Sequence, residues 1–166
     1  MGYTNAGKST LLNALTGSHV LVENRLFATL DTASRRLRFP TDKEAIITDT
    51  VGFIRNLPEE LMGAFRATLE ELHDADLLLH VADIGSPTLE HQIAVVERIL
   101  ADLEMDKVPR LLVLNKADQV DKAQSAVLGT RFRATSISAL HPGTLIPLVN
   151  DIERRLSSLT RDGNPC

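Results

Sequence analysis

The chain has 166 residues, 43% hydrophobic and 24% charged, the ordinary balance of a single soluble globular domain. A formal net charge of −4 argues against a basic face that grips nucleic acid, so no direct DNA binding is expected. The single cysteine, Cys166, excludes an internal disulfide, and no apolar run approaches the ~18 residues of a membrane span. With no basic-then-apolar leader at the front, the expected setting is the cytoplasm and the expected state a monomer, with no membrane partner.

Gly2-Tyr3-Thr4-Asn5-Ala6-Gly7-Lys8-Ser9 opens the chain and fits G-x-x-x-x-G-K-[ST] with no mismatch. The glycines let backbone N–H groups turn inward around a polyphosphate. Lys8 can reach the outer phosphates, and the Ser9 hydroxyl can ligate Mg²⁺. Tyr3, Thr4 and Asn5 either shape this loop or touch its ligand. Such a loop leaves the end of a buried strand, and only Met1 precedes it, so the reading expects a sheet lacking its first, central strand.

A helix is predicted over Ser9–Leu15, then strands over Arg36–Phe39 and Glu44–Thr48. Pro58 opens a long amphipathic helix in which Leu61, Phe65, Leu69 and Leu72 recur at helical spacing. Asp76–Asp83 reads as a buried strand and Thr88–Leu103 as a helix. Arg110–Leu114 is the next strand, Val120–Leu128 a short polar helix, Phe132–Ser136 a last strand and Gly143–Leu156 a last helix. Strands separated by helices imply an α/β fold with a mostly parallel sheet covered on both faces. Residues 1–159 form one domain, and the polar segment from Thr160 to Cys166 is expected to be a disordered tail.

Asn115-Lys116-Ala117-Asp118 follows an apolar strand and matches N-K-x-D. The Asp118 carboxylate can accept from both N1–H and the exocyclic amine of guanine. Adenine offers neither at that edge, so it would leave a desolvated charge unpaired. Asn115 can brace the loop, and the Lys116 stem can lie along the base. Ser138-Ala139-Leu140 follows the last strand, where the Ala139 N–H can meet the guanine carbonyl. Asp49-Thr50-Val51-Gly52 matches D-x-x-G: Asp49 can hold a magnesium water, and the Gly52 N–H can sense the γ-phosphate. In the preceding segment Leu26-Phe27-Ala28-Thr29-Leu30-Asp31-Thr32, a threonine hydroxyl can complete the magnesium shell, Thr29 in preference to Thr32. Each motif is short, but four in this order at strand ends select GTP and GDP.

His19, His73, His80, His91 and His141 have no metal-ligand spacing, and His80 reads as a core residue. Arg35, Arg36 and Arg38 form a basic cluster that is either a solvated strand edge or an RNA or phosphate contact.

Gly2 to Thr10, Leu26 to Asp31, Asp49 to Pro58 (Asp49-Thr50-Val51-Gly52-Phe53-Ile54-Arg55-Asn56-Leu57-Pro58) and Ala64 to Glu71 together resemble the G domain of the HflX family of translation-factor-related GTPases. The resemblance implies a Ras-like P-loop fold, GTP hydrolysis with Mg²⁺ on Ser9 and Thr29, and association with the large ribosomal subunit. It implies roles in turnover for Lys8, Thr29 and Gly52. Where many relatives carry a water-orienting glutamine after D-x-x-G, this chain has Phe53. A partner, or a backbone group of the Thr29 loop, is therefore expected to orient the attacking water. The alternatives are a guanine-nucleotide-binding module without useful turnover and a remnant that does not fold alone.

Overall fold

The computed structural model describes residues 1–17, 34–49, 74–105 and 107–162. Helix α1 (Lys8–Thr16) begins directly at the end of the glycine-bearing loop, after Gly7 at φ 89°, and stops at Gly17 at φ 64°, whose N–H donates to the Asn13 carbonyl. Strands β1 (Ser34–Arg38) and β2 (Glu44–Thr48) form an antiparallel hairpin with Ser34 opposite Thr48 and Arg38 opposite Glu44. The Arg cluster lies on β1. Arg36 and Arg38 pair with Glu44, and Arg35 donates to Asn13, so these cations are engaged within the protein. The helix expected from Pro58 falls outside the described residues.

Strand β3 (Leu78–Asp83) pairs in parallel with β4 (Arg110–Asn115), and β4 pairs with β5 (Thr135–Ser136). Between them run α2 (Leu89–Asp102) and α3 (Lys122–Phe132), and α4 (Ile146–Asp162) closes the domain. Alternation along the strands builds two cores. Val81, Leu111 and Val113 face α1 and α4, meeting Leu11, Leu148 and Ile152 together with Leu37 and Phe39 of the hairpin. Leu78 faces α2, where Val96, Leu100 and Met105 are fully buried, and Ala82 and Leu114 continue that face toward Leu89. His80 is buried on the α2 side. Its Nδ1 lies 3.7 Å from Glu97 Oε1, too long for a hydrogen bond, and Glu97 is itself paired with Arg110 at 2.9 Å. Burial lowers the His80 pKa, so the ring sits in the core as a neutral group.

The largest departures from the expected boundaries fall at α3, β5 and the last helix, for local reasons. Helix α3 starts at Lys122 because the Asp121 carboxylate caps it, accepting from the Gln124 N–H at 2.8 Å. It runs to Phe132 and ends at Arg133 in the left-handed region, φ 50°, which leaves β5 two residues instead of the five expected. The last helix is preceded by a 3₁₀ turn over Pro142–Thr144 and continues to Asp162, so a domain boundary at residue 159 falls inside it.

Among the described residues the sheet is in two pieces, β1-β2 and β3-β4-β5. Among the described residues, Met1 and Gly2 lie along the edge of β3 opposite β4. The Met1 amino group donates to the Leu79 carbonyl at 2.9 Å, the Val81 N–H donates to the Met1 carbonyl at 2.8 Å, and Gly2 bridges Val81 in parallel. This stub of strand is the platform from which the phosphate loop departs. Its approach to β3 is so close that a Cβ on Gly2 would sit 2.1 Å from the Val81 carbonyl oxygen.

Gly2→Ala should therefore destabilise the domain by about 3 kcal/mol through backbone overlap. Gly17→Ala, with nothing within 4 Å of its added Cβ, should cost only the left-handed backbone term, about 1 kcal/mol. Urea denaturation of the two variants checks this; equal losses would mean that the stub is not pinned against β3.

Candidate nucleotide site

The parallel register ends with Asp83 opposite Asn115. Side chains at these carboxyl-terminal strand ends face the crevice where α/β folds take their ligands. Asn115 is buried, 2% exposed, and uses both ends of its amide. Nδ2 donates to the Ala6 carbonyl at 3.0 Å, and Oδ1 accepts from the Ala139 N–H at 3.0 Å. One side chain thus ties the phosphate loop to the segment after β5. The approach is tight: a Cβ on Gly7 would lie 2.4 Å from Asn115 Nδ2. Glycine is required there by both its φ and its neighbour. The sequence reading assigns the Ala139 N–H to a guanine carbonyl. In the structure that N–H donates to Asn115, and a base carbonyl would have to share it.

The loop itself turns through Asn5 at φ 61°, with the Ala6 N–H donating to the Tyr3 carbonyl at 3.2 Å. Tyr3 is buried among Met1, Leu78, Val96, Leu100 and Met105, so its ring shapes the loop and only its backbone faces the cradle. Thr4, Lys8, Ser9 and Thr10 are half-buried and Asn5 is exposed. Lys8 Nζ donates to the Tyr3 carbonyl at 3.3 Å. Burial pushes the Lys8 pKa down, and Asp49 opposes that shift. Ser9 Oγ donates to Asp49 Oδ2 at 2.8 Å, joining the phosphate loop to the end of β2.

Lys116 and Asp118 occupy the turn after β4. Lys116 adopts φ 65° and heads a 3₁₀ turn over Ala117–Gln119. Its ammonium pairs with Asp83 Oδ2 at 2.6 Å, while Asp83 Oδ1 accepts from the Gly85 N–H at 2.9 Å. Asp83 is absent from the sequence-predicted set. The available signal was an aspartate at the end of an apolar strand, as Asp49 directly follows β2. The Asp118 carboxylate is exposed. The neighbouring Ser138 hydroxyl, with smaller contributions from His141 and Lys116, holds its pKa below the ordinary value. Ser138 is buried, whereas Leu140 is 70% exposed. Phe27, Ala28, Thr29, Leu30 and Asp31, and Thr50, Val51 and Gly52, lie outside the described residues.

Asn115 joins the phosphate loop to the segment after β5, Ser9 and Asp49 form a hydroxyl–carboxylate pair, and Asp118 stands exposed in the turn after β4. That set can hold a polyphosphate at one end and a base with adjacent N–H donors at the other.

Residues 1–116 match the family described as 50S ribosome-binding GTPase. The chain is 51% identical over 156 residues to GTPase HflX of Caldanaerobacter subterraneus subsp. tengcongensis, covering 94% of this chain and 36% of that protein. It is 49% identical over 149 residues to GTPase HflX of Gluconacetobacter diazotrophicus, covering 89% of this chain and 33% of that protein. The chain thus spans about a third of the length of these curated relatives. Its backbone resembles that of a GTP-binding protein from Sulfolobus solfataricus solved in complex with GDP. The TM-score is 0.77 and the identity 27%, over 95% of this chain and 51% of that one. The Ras-like P-loop fold is shared.

Asn115→Ala orphans the Ala6 carbonyl and the Ala139 N–H, and should lower stability by about 3 kcal/mol. Asp83→Ala removes a partly exposed ion pair and should lower it by less than about 1 kcal/mol. Urea midpoints separate the two; the reverse order would contradict Asn115 as the central brace.

Proposed function

The chain belongs to the family of 50S ribosome-binding GTPases, and on that premise we propose that it is an HflX-type G domain that binds GTP with Mg²⁺ and hydrolyses it to GDP and phosphate. The observation that carries the proposal is the Asn115 side chain bonded at once to the phosphate loop and to the Ala139 segment. It sets the phosphate-binding and base-binding ends of the site in one frame.

Within this reading the loop N–H groups and the Lys8 ammonium hold the β- and γ-phosphates. The desolvated Lys8 gains a full partner when the anion arrives. Asp118 accepts from the two adjacent N–H groups of guanine, and Lys116, held by Asp83, lays its stem along the base. The donor set fits magnesium. Ser9 and Asp49 present hard oxygens 2.8 Å apart, and among the described residues no cluster of three or more His, Cys, Asp or Glu forms a metal cage. An ion held by one or two protein oxygens and otherwise by water and phosphate needs only that. When bound, it neutralises charge on the transferring phosphoryl group.

Thr29 as a second magnesium ligand and the Gly52 N–H as the γ-phosphate sensor rest on the HflX resemblance. So do the large ribosomal subunit as partner and the cytoplasm as setting. Phe53 cannot hydrogen-bond a water, so the residue or partner that orients the nucleophile lies elsewhere; the Thr29 loop backbone and the ribosome are the candidates. The alternative carried from the sequence is a guanine-nucleotide-binding module that turns over slowly or not at all.

Asp118→Asn replaces an acceptor with an amide whose NH₂ suits the C2 carbonyl of xanthine. GDP affinity should fall by about 100-fold while xanthosine diphosphate affinity rises. Isothermal titration of both ligands checks it, and unchanged GDP binding would remove Asp118 from the base site. Phosphate release from GTP should be slow for the chain alone and rise at least about tenfold on adding large ribosomal subunits. A rate that subunits leave unchanged would favour the binding-module reading.

A further inference from the structure

Asp83 ends β3, and its two carboxylate oxygens have separate partners. Oδ1 accepts from the Gly85 N–H at 2.9 Å, and Oδ2 takes the Lys116 ammonium at 2.6 Å. The backbone around it is held as well. The Ser86 N–H donates to the Asp83 carbonyl at 3.1 Å, and the Ile84 N–H donates to the Asn115 carbonyl at 3.0 Å. The carboxylate therefore stands at a fixed place, one strand over from Asn115. Lys116 reaches it from the turn after β4. On the way its Cε passes the phosphate loop, 4.0 Å from where a Cβ on Gly7 would lie. One side chain thus runs from that turn, past the loop, to the end of β3. Both side chains are partly exposed, 29% for Lys116 and 22% for Asp83.

Lysine has a long, flexible side chain. Ordering it on binding costs free energy, and that cost is avoided when the side chain is fixed beforehand. An untethered Lys116 ammonium would be free to turn toward an incoming polyphosphate, taking its methylenes with it. The Asp83 carboxylate gives the charge a partner on the β3 side instead. The apolar stem is then what remains to face a base. Without ligand the pair contributes little, because water solvates either partner alone. Under a planar base that water is displaced, and the fixed partner counts for more.

We propose that Asp83 is a positioning residue for the base: by holding the Lys116 ammonium it presets the lysine stem as the shelf on which the purine ring rests, and so raises affinity for the nucleoside part of the ligand without acting on its phosphate end. This rests on the guanine-nucleotide reading given above, and deepens it by assigning a role in binding to a residue outside the four nucleotide motifs. The action of Asp83 passes entirely through Lys116, so it requires the ammonium. The Gly85 N–H bond is a separate, structural duty of the same carboxylate, and a substitution that spares it isolates the positioning role.

The test uses the full chain, with GDP and pyrophosphate each titrated in the presence of Mg²⁺ into the unsubstituted protein, Asp83→Asn, Lys116→Met and the double variant. Asparagine keeps an oxygen for the Gly85 N–H and turns its NH₂ toward the ammonium, so the turn is spared and the hold on Lys116 is lost. Methionine keeps an unbranched stem without the charge. GDP affinity should fall about five-fold in Asp83→Asn, the cost of ordering one long side chain, while pyrophosphate affinity falls by less than about two-fold. In the Lys116→Met background, adding Asp83→Asn should change GDP affinity by less than about two-fold. Both residues are partly exposed, so the variants should fold, and melting midpoints without nucleotide confirm it. A parallel loss of pyrophosphate, an unchanged GDP affinity in Asp83→Asn, or the same loss of GDP affinity with Lys116 already replaced overturns the proposal while leaving the guanine reading intact. Failure of the unsubstituted chain to bind GDP would overturn the guanine reading, and this proposal with it.

Discussion

The Asn115 side chain commits both of its hydrogen-bonding ends inside the protein, and the arrangement of the site follows from that. A buried amide with one unmet end would cost more than the bond it makes, so the Ala6 carbonyl and the Ala139 N–H must both stay within reach. Satisfying them requires a residue without a Cβ at position 7. It also requires β4 to end where it does, one strand away from Asp83. Asp83 then holds Lys116, whose left-handed backbone turns the chain so that Asp118 can face outward. The Asp118 carboxylate is exposed because a sequence of constraints behind it puts it there.

The two halves of the ligand site rest on different foundations. The phosphate end is rooted in the core. Met1 and Gly2 lie along β3, Tyr3 packs under α2, and α1 buries Leu11 and Leu12. Helix α2 supplies Val96 and Leu100 to the face beneath that loop. The hairpin β1-β2 contributes Leu37 and Phe39 to the opposite core and delivers Asp49 to Ser9, although it shares no ladder with β3. Side-chain packing and side-chain hydrogen bonds, Asp49 with Ser9 and Arg35 with Asn13 toward α1 and Thr41 with Glu153 and Lys43 with Ser157 toward α4, hold the hairpin in place.

Much of this was legible in the sequence. The loop glycines, N-K-x-D, the D-x-x-G aspartate and the serine–alanine pair stand at strand or loop ends. The β3 and β4 runs announced themselves by uninterrupted apolar residues. Other features were not legible, for identifiable reasons. Phe132 and Arg133 look like the start of a strand, yet the Asp121 cap and the left-handed Arg133 give Phe132 to a helix. Asp83 was hidden because a lone aspartate after an apolar run carries no motif; only the register opposite Asn115 reveals its partner. His141 lacks any ligand spacing, and its proximity to Ser138 depends on a loop crossed by Thr144, a tertiary fact that no local pattern encodes. Tyr3 packs into the core with Leu78, Val96 and Leu100, a burial that its place in the loop motif does not signal.

Helix α3 buries none of its residues and leans on a strand of only two, touching it closely at Gly129, where a Cβ would lie 3.2 Å from Ser136 Oγ. Regions with few buried apolar contacts open at lower free energy than those around the core. On the proposed reading, α3 and the loop beside it open more readily than α1 and the phosphate loop, so a bound nucleotide would lose its base contacts before its phosphate contacts.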